Sequence, residues 1–593
     1  MDNNVVAERA MNYEKECEYL QRLHDEVETD IEPDDDDISL TSEGEEIQDH
    51  DTDDEQTIET IDINLHVPLA EHETGQQFAP YYIGKDGKTN WRKHPRNRQM
   101  RTRAENIIKF LPGVKASAGE KKSIIDIWGL FFTDDILGVI VENTNIYIGL
   151  GNFNPSNRTA KPTDIIELKA LLGLLYISAM SKNNRVNAAD LFRTNGTSME
   201  IFRLTMSLQR FKFLLRHIRF DNKTTREERQ KHDKLTPIRE VFDAFNSNLS
   251  KYFCLSEYTT VDEMLISFRG KCGFRVYMPN KPNRYGIKIY SLVDAKMFYT
   301  AKLEIYVGQQ HPGPFKVETD NVSLLSRLCQ PISGSRRNVT MDNFFTSMAV
   351  ANKLSNDHKL TILGTIRKNR KELPLEFTQP ITRPEKTSMF GFQDKATICS
   401  YIPRKHKNVL LLSTMHFEED TIDEETGKPE IILDYNRTKG GVDTVDKMCE
   451  AYNCARATRR WPMVIFYSCL NIAGINSFII YKNNAGYMDK TPRRLFLESL
   501  GMELLDTHLR RRVLNERIPR TIRIRLKEIL GINDQQDGQT HNPEVQKGRC
   551  FQCDRKKNRP TRFKCSNCQK FICLEHSKYI CHHCANETEY CED

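Results

Sequence analysis

At 593 residues the chain is long enough for three or four domains of about 150 residues each, which excludes a peptide-like function. The formal net charge of +4 conceals a strongly basic body, because Asp25 to Thr60 holds 18 acidic residues and no Lys or Arg and the rest therefore carries +22; such a body attracts polyanions, nucleic acid before anionic membrane. A mean hydropathy of −0.59 with 28% charged residues excludes a polytopic membrane protein.

Residues 1–84 are acidic and poor in aromatics, so they are expected to be disordered. Met1-Asp-Asn-Asn has neither the basic flank nor the apolar run of a signal peptide, and a reducing compartment is expected. Ser42, followed by Glu43 and Glu45, stands in a context favoured by acid-directed kinases and equally in an ordinary solvated tail. From Lys85 to Arg103 the sign flips to eight Lys or Arg against one Asp, which suits a nuclear-import or DNA-backbone segment as well as a solvated basic linker.

Apolar residues at helical spacing then predict helices around Ile124–Phe132, Ile136–Ile140 and Ile165–Met180. Arg210 to Arg219 reads as a core helix with a basic outer face. After Tyr258 the pattern becomes β-rich, at Thr259–Ser267, Phe274–Met278, Ile287–Val293 and Leu303–Val307, with a turn at Pro279-Asn280-Lys281-Pro282-Asn283. Helical signals at Leu324–Leu328 and Phe345–Leu354 precede another strand at Leu360–Ile366, and the whole fits a mixed α/β sheet covered by helices. Residues 369–429 are rich in Pro, charge and turns and read as an insertion. Trp461 to Tyr481 is uncharged over 21 residues, long enough for a membrane span, but Asn471, Gly474 and Asn476 within it point to a buried core helix. The helical pattern continues to Leu530, and a polar linker follows.

Eight of the 16 cysteines lie between Cys550 and Cys591. Cys550-x2-Cys553, Cys565-x2-Cys568, Cys573-x2-His576 and Cys581-x2-Cys584 make four knuckles, enough soft ligands for two tetrahedral zinc ions. So short a segment cannot bury a core without them. Cross-braced pairing would give one ion Cys550, Cys553, Cys573 and His576 and the other Cys565, Cys568, Cys581 and Cys584; sequential pairing is the competitor, with His582, His583 and Cys591 as spare ligands. Arg555, Lys556 and Lys557 lie in a basic run that makes phosphate the expected partner of this module.

Three carboxylates stand at predicted element boundaries: Asp262 in TTVDEM, Asp342 in VTMDNF and Asp443 in KGGVDTVD, with Asp446 one helical turn beyond the last. Phosphodiester cleavage by two metal ions needs such hard oxygen ligands to hold Mg2+ or Mn2+ ions about 4 Å apart. An aspartate at a strand end is also a common cap or turn residue.

TVDEMLISFRGKCGFRVYMPNKPNRYGIKI (260–289), NVTMDNFFTS (338–347), HKLTILGTIRKNRKELP (358–374), TSMFGF (387–392), YNRTKGGVDTVDKMC (435–449), RRWPM (459–463), INSFIIY (475–481) and the terminal cysteines together resemble the piggyBac transposase family over residues 105–584. The resemblance implies an α/β fold: an RNase H-like catalytic core (258–368 and 430–452) interrupted by an insertion domain (369–429). Around it the family places a split helical dimerisation and DNA-binding domain (105–257 and 453–530). An acidic tail and basic linker (1–104), a second linker (531–549), a C-terminal cross-brace zinc domain (550–584) and a short tail (585–593) complete the plan.

The implied catalytic triad is Asp262, Asp342 and Asp443, with Asp446 as a further metal ligand, and the implied cofactors are Mg2+ (or Mn2+) and two Zn2+. Asn343, Arg367 and Arg370 match family positions that contact DNA; Trp461 in RRWPM is a further family position assigned to DNA binding, for which core packing is the alternative. The implied activity is cut-and-paste DNA transposition in the nucleus by a homodimer on double-stranded DNA, with no membrane partner: nicking at the transposon end, hairpin formation, then strand transfer into TTAA. Phe344 departs from the Trp of some relatives. A domesticated, non-catalytic DNA-binding protein is the alternative, and a chromatin-reading or ubiquitin-ligase role for the cysteine module is a third reading.

Overall fold

The computed structural model describes residues 80–95, 103–151, 153, 159–279, 281, 283–379, 383–417, 427–486, 489–532, 548–557, 560–565 and 568–578. Two compact units divide the chain, Met1–Glu516 and Arg517–Asp593. The expected tail up to residue 79 lies outside the described residues.

The first unit is built on one mixed sheet of eleven strands. In chain order these are β1 (Tyr81–Ile83), β2 (Asn90–Arg92), β3 (Tyr258–Ser267), β4 (Val276–Tyr277), β5 (Tyr285–Asp294), β6 (Thr300–Ile305), β7 (Asn338–Met341), β8 (Thr361–Thr365), β9 (Ser388–Phe392), β10 (Thr397–Arg404) and β11 (Lys407–Ser413). Their spatial order is β1-β2-β9-β10-β11-β8-β7-β3-β5-β4, with β6 also on β5. β3, β7 and β8 run parallel, as crossovers through helices require, while β5 and β6 fold back antiparallel. Counted along the chain, the central five strands therefore lie in the order 3-2-1-4-5. β5 is buried on both faces except at Tyr285, as a strand covered by helices must be.

Residues 369–429, read as an insertion, extend the sheet: β11 pairs antiparallel with β8, and β9 and β10 continue from it. Their alternating apolar residues, among them Cys399, Tyr401 and Leu411, bury one face against Leu363, Ile431 and Ile432. Tyr81–Ile83, at the end of the segment 1–84 expected to be disordered, and Asn90–Arg92, in the basic segment, form the hairpin β1–β2, whose Arg92 pairs with Phe392. Trp91 drives this: its ring is fully buried and its Nε1 donates to Glu372 O at 2.8 Å.

The helices that matter for the site are α1 (Ile165–Met180), α2 (Glu430–Thr438), α3 (Gly441–Ala451), α4 (Trp461–Ala485) and α5 (Arg493–Val513). α1 keeps the bounds expected from its periodicity. Its N-cap Asp164 accepts from Glu167 N, and it is buried on all sides beyond its first turn, consistent with an apolar circumference. α1 and α5 cross so closely that a Cβ on Gly173 would lie 2.7 Å from Gly501 O, so only glycine fits there. α4 starts with Pro462 in its first turn, stops at Gly486 with φ 79°, and is buried from Met463 to Ile480, as expected for a core helix.

The helix Leu208–His217 departs from its reading, because Arg210 points inward. Its guanidinium donates to Glu167 and to the carbonyls of Thr159, Lys161 and Pro162, which together satisfy a buried charge.

Candidate active site and zinc centre

Strand register brings the first two aspartates together. β3 and β7 pair in parallel up to Val261 opposite Met341, so Asp262 and Asp342 are the next residues on adjacent strands, at the usual inter-strand spacing of about 4.8 Å. Two residues earlier on each strand, hence on the same face, stand Thr260 and Thr340. Thr260 Oγ1 donates to Thr438 O at 2.6 Å and Thr340 Oγ1 lies 2.7 Å from Thr438 Oγ1, so both hydroxyls grip the last residue of α2.

That grip delivers the third aspartate. Chain reversal after Thr438 starts α3 directly over β3, where a Cβ on Gly441 would lie 2.5 Å from Thr260 Oγ1. Asp443 sits in the first turn of α3, where the helix dipole favours an anion, and Asp446 follows at i+3.

The charges respond to one another. Burial, then Glu263, Asp342 and Asp443, push the Asp262 carboxyl up to about 8. Asp446 is pushed up to about 7 by burial, Glu450 and Asp443, against the pull of Lys281. The Tyr435 phenol is raised by burial and, more weakly, by Asp342 and Asp262. An ammonium reaches this group: Lys281 Nζ lies 3.5 Å from Asp443 Oδ1 and 3.4 Å from Glu263 O. Burial disfavours its charge, yet Asp443, Asp262, Glu263 and Asp446 together raise its pKa above the usual value. Asp262, Asp342, Asp443 and Asp446 form a hard-oxygen donor set, the chemistry that fits divalent cations. Asp262 and Asp342 are half-buried, so the set remains reachable from solvent.

Asn343 is exposed beside Asp342. Arg367 is half-buried with its guanidinium 5.9 Å from the Phe344 ring. Arg370 is half-buried, and its Nε is enclosed without a hydrogen-bond partner. Trp461 packs edge-on against Phe274 at 5.0 Å. Sequence reasoning missed Lys281, read only as part of a turn, and the Thr260–Thr340–Thr438 clasp, since threonines in strands carry no local signal of a contact far along the chain.

In the second unit, the ligand atoms of Cys550, Cys553, Cys573 and His576 all lie within 4.8 Å of one another. Cys553 and Cys573 sulfurs are 3.6 Å apart, and His576 Nδ1 is 3.8, 3.5 and 3.2 Å from the sulfurs of Cys550, Cys553 and Cys573. Bonds of about 2.3 Å to a tetrahedral zinc ion produce separations of this size. These four are the first set of the cross-braced scheme; sequential pairing would have joined Cys550 and Cys553 to Cys565 and Cys568 instead. Burial resists ionisation of Cys550, but backbone N–H groups of Cys573 and Gln552 and the His576 ring outweigh it and lower that thiol to about 6. Cys565 is half-buried and Cys568 exposed, while Cys581 and Cys584 lie outside the described residues. Arg555, Lys556 and Lys557 form a 3-10 turn after the first knuckle, with Lys556 and Lys557 exposed.

Residues 125–478 match the family model described as Transposase IS4, a span that contains all four aspartates and stops short of the cysteines. Among human proteins, PiggyBac transposable element-derived protein 3 is 21% identical over 373 residues, 60% of this chain and 61% of that protein. PiggyBac transposable element-derived protein 2 is 21% identical over 369 residues, 59% of this chain and 60% of that protein. The chain thus spans about three fifths of the length of these relatives. A cryo-EM structure of piggyBac transposase in a synaptic complex with hairpin DNA superposes with a TM-score of 0.68 at 36% identity, covering 80% of this chain and 100% of that one.

Proposed function

Because the chain belongs to the piggyBac family of transposases, we propose that it is a cut-and-paste DNA transposase whose metal site is made by Asp262, Asp342, Asp443 and Asp446. The observation that carries this reading is geometric: Asp262 and Asp342 follow directly on the paired residues Val261 and Met341, and the Thr260–Thr438–Thr340 hydrogen bonds with the close approach at Gly441 seat the helix that carries Asp443 over the same strand. The 3-2-1-4-5 order of the central strands supports the RNase H-like expectation. When bound, a pair of Mg2+ or Mn2+ ions would supply Lewis-acid activation of the attacking oxygen and neutralise charge on the leaving oxygen.

The chain's own residues hold and orient. Thr260 and Thr340 fix the end of α2, Gly441 lets α3 approach β3, and Asp443 and Asp446 are thereby presented beside Asp262 and Asp342. Asn343, Arg367 and Arg370 flank the second aspartate and suit contacts to DNA phosphates and bases. The reaction assigned to this site is nicking at a transposon end, hairpin formation and joining into TTAA. The cysteine module, with two zinc ions and the basic turn at Arg555–Lys557, is assigned to binding the transposon end. A homodimer acting on double-stranded DNA in the nucleus completes the proposal.

The test uses the full chain, Mg2+ and DNA carrying the repeats that flank its own gene. Nicked and hairpinned products are expected from the wild type and none from Asp262→Asn, with end binding retained. Binding without cleavage by the wild type would replace this reading with that of a domesticated DNA-binding protein.

A further inference from the structure

The acidic group is not bare before cations arrive. Lys281 reaches it from the segment between β4 and β5, with its Nζ 3.5 Å from Asp443 Oδ1 and 3.4 Å from Glu263 O. Its side chain is largely buried, whereas that of Asp443 is more than half exposed, so the ammonium is the enclosed partner of the pair. An exposed Lys–Asp contact contributes little. A lysine that gives up water to sit against Asp443 and the Glu263 carbonyl is held there by the charge of the carboxylate it faces.

We propose that Lys281 is a resident counter-ion: a positioning residue whose ammonium balances the aspartates in the metal-free protein and is displaced when divalent cations bind. The inference rests on the reading of the four aspartates as the metal site. Two consequences follow from charge alone. The metal-free fold depends on Lys281, because without it the carboxylates repel across the α3–β3 contact. Divalent ions bind more weakly than the bare carboxylates would allow, because entry must move a like charge away.

The experiment measures Mn2+ affinity by titration and thermal stability with and without saturating Mn2+ for the full chain and three variants. Lys281→Met is expected to melt lower than the wild type without metal, to regain the wild-type Tm in saturating Mn2+, and to bind Mn2+ about three- to tenfold more tightly. Lys281→Arg, which keeps the charge, is expected to retain the wild-type Tm and affinity, and it carries the test should the Met variant fail to fold. Unchanged or weaker Mn2+ binding by Lys281→Met, a Tm deficit that Mn2+ does not close, or tightened binding by Lys281→Arg would each overturn the proposal. Asp262→Asn separates the two readings. If it binds Mn2+ as the wild type does, the aspartate site itself is wrong; if it loses binding while Lys281→Met fails to tighten it, only the counter-ion role falls.

Discussion

The hydroxyls of Thr340 and Thr438 meet at 2.7 Å, which ties the strand leading into Asp342 to the helix end leading into Asp443. Thr438 Oγ1 already donates to Asp434 O, so it is the acceptor for Thr340. Thr438→Val keeps the shape and leaves the buried Thr340 hydroxyl only its longer hydrogen bond to Asn338 Oδ1 at 3.4 Å, at a cost of about 1 kcal/mol. A Tm lowered by a few degrees together with weakened Mn2+ binding is the expected result, since the same clasp positions α3. Calorimetry and metal titration on the variant check it.

Gly441 separates stability from geometry. As the first residue of α3, Gly441 contributes little to helix propensity, so alanine there neither gains nor loses much within the helix. Its Cβ would meet Thr260 Oγ1 at 2.5 Å and push α3 off β3, moving Asp443. Gly441→Ala should lower DNA cleavage at least about tenfold, as small misplacements at catalytic sites do, with little change in Tm. A Tm scan and a cleavage time course on the same preparation test this.

His508 on α5 makes stability depend on pH. Burial, with the charges of Arg511 and Arg512, lowers its pKa, while Glu167 on α1 and the hydrogen bond to Thr205 O act in the opposite direction. A histidine whose folded pKa lies below the unfolded value leaves the unfolded chain to take the proton first. Its contribution is therefore complete above about pH 6.5 and is lost as pH falls from there towards the folded pKa. His508→Gln can still donate to Thr205 O and accept from Arg511, so its Tm should fall less steeply between pH 7.5 and 5.5 than the wild type's.

The zinc centre is testable by stoichiometry. Cys573→Ser removes one ligand from the set Cys550, Cys553, Cys573 and His576. Two zinc ions per wild-type chain and one in the variant are expected by elemental analysis, with end-DNA binding lost in parallel and on chelation. Since the cluster belongs to the second compact unit, the melting of the first should be unaffected.

Residue type and spacing were enough to single out the cysteine and histidine knuckles, the bounds of α1 and the buried course of α4, because each depends on a local pattern, a short ligand spacing or an apolar helical period, whereas the four aspartates stood out only through the family resemblance. Tertiary structure decided the rest. Trp91 finds its acceptor 281 positions away at Glu372, Arg210 turns inward to Glu167 across 43 positions, and β11 returns to pair with β8. Those pairings join the N-terminal hairpin and the 369–429 segment to the sheet, and no periodicity within a short window encodes them. Lys281 belongs with them: between two prolines it reads as a turn, and only the folding of α3 over β3 places its ammonium among the acids. Local patterns specify which chemistry a residue can perform, whereas burial and charge coupling, which set its protonation and its partners, arise only when distant segments exclude water together.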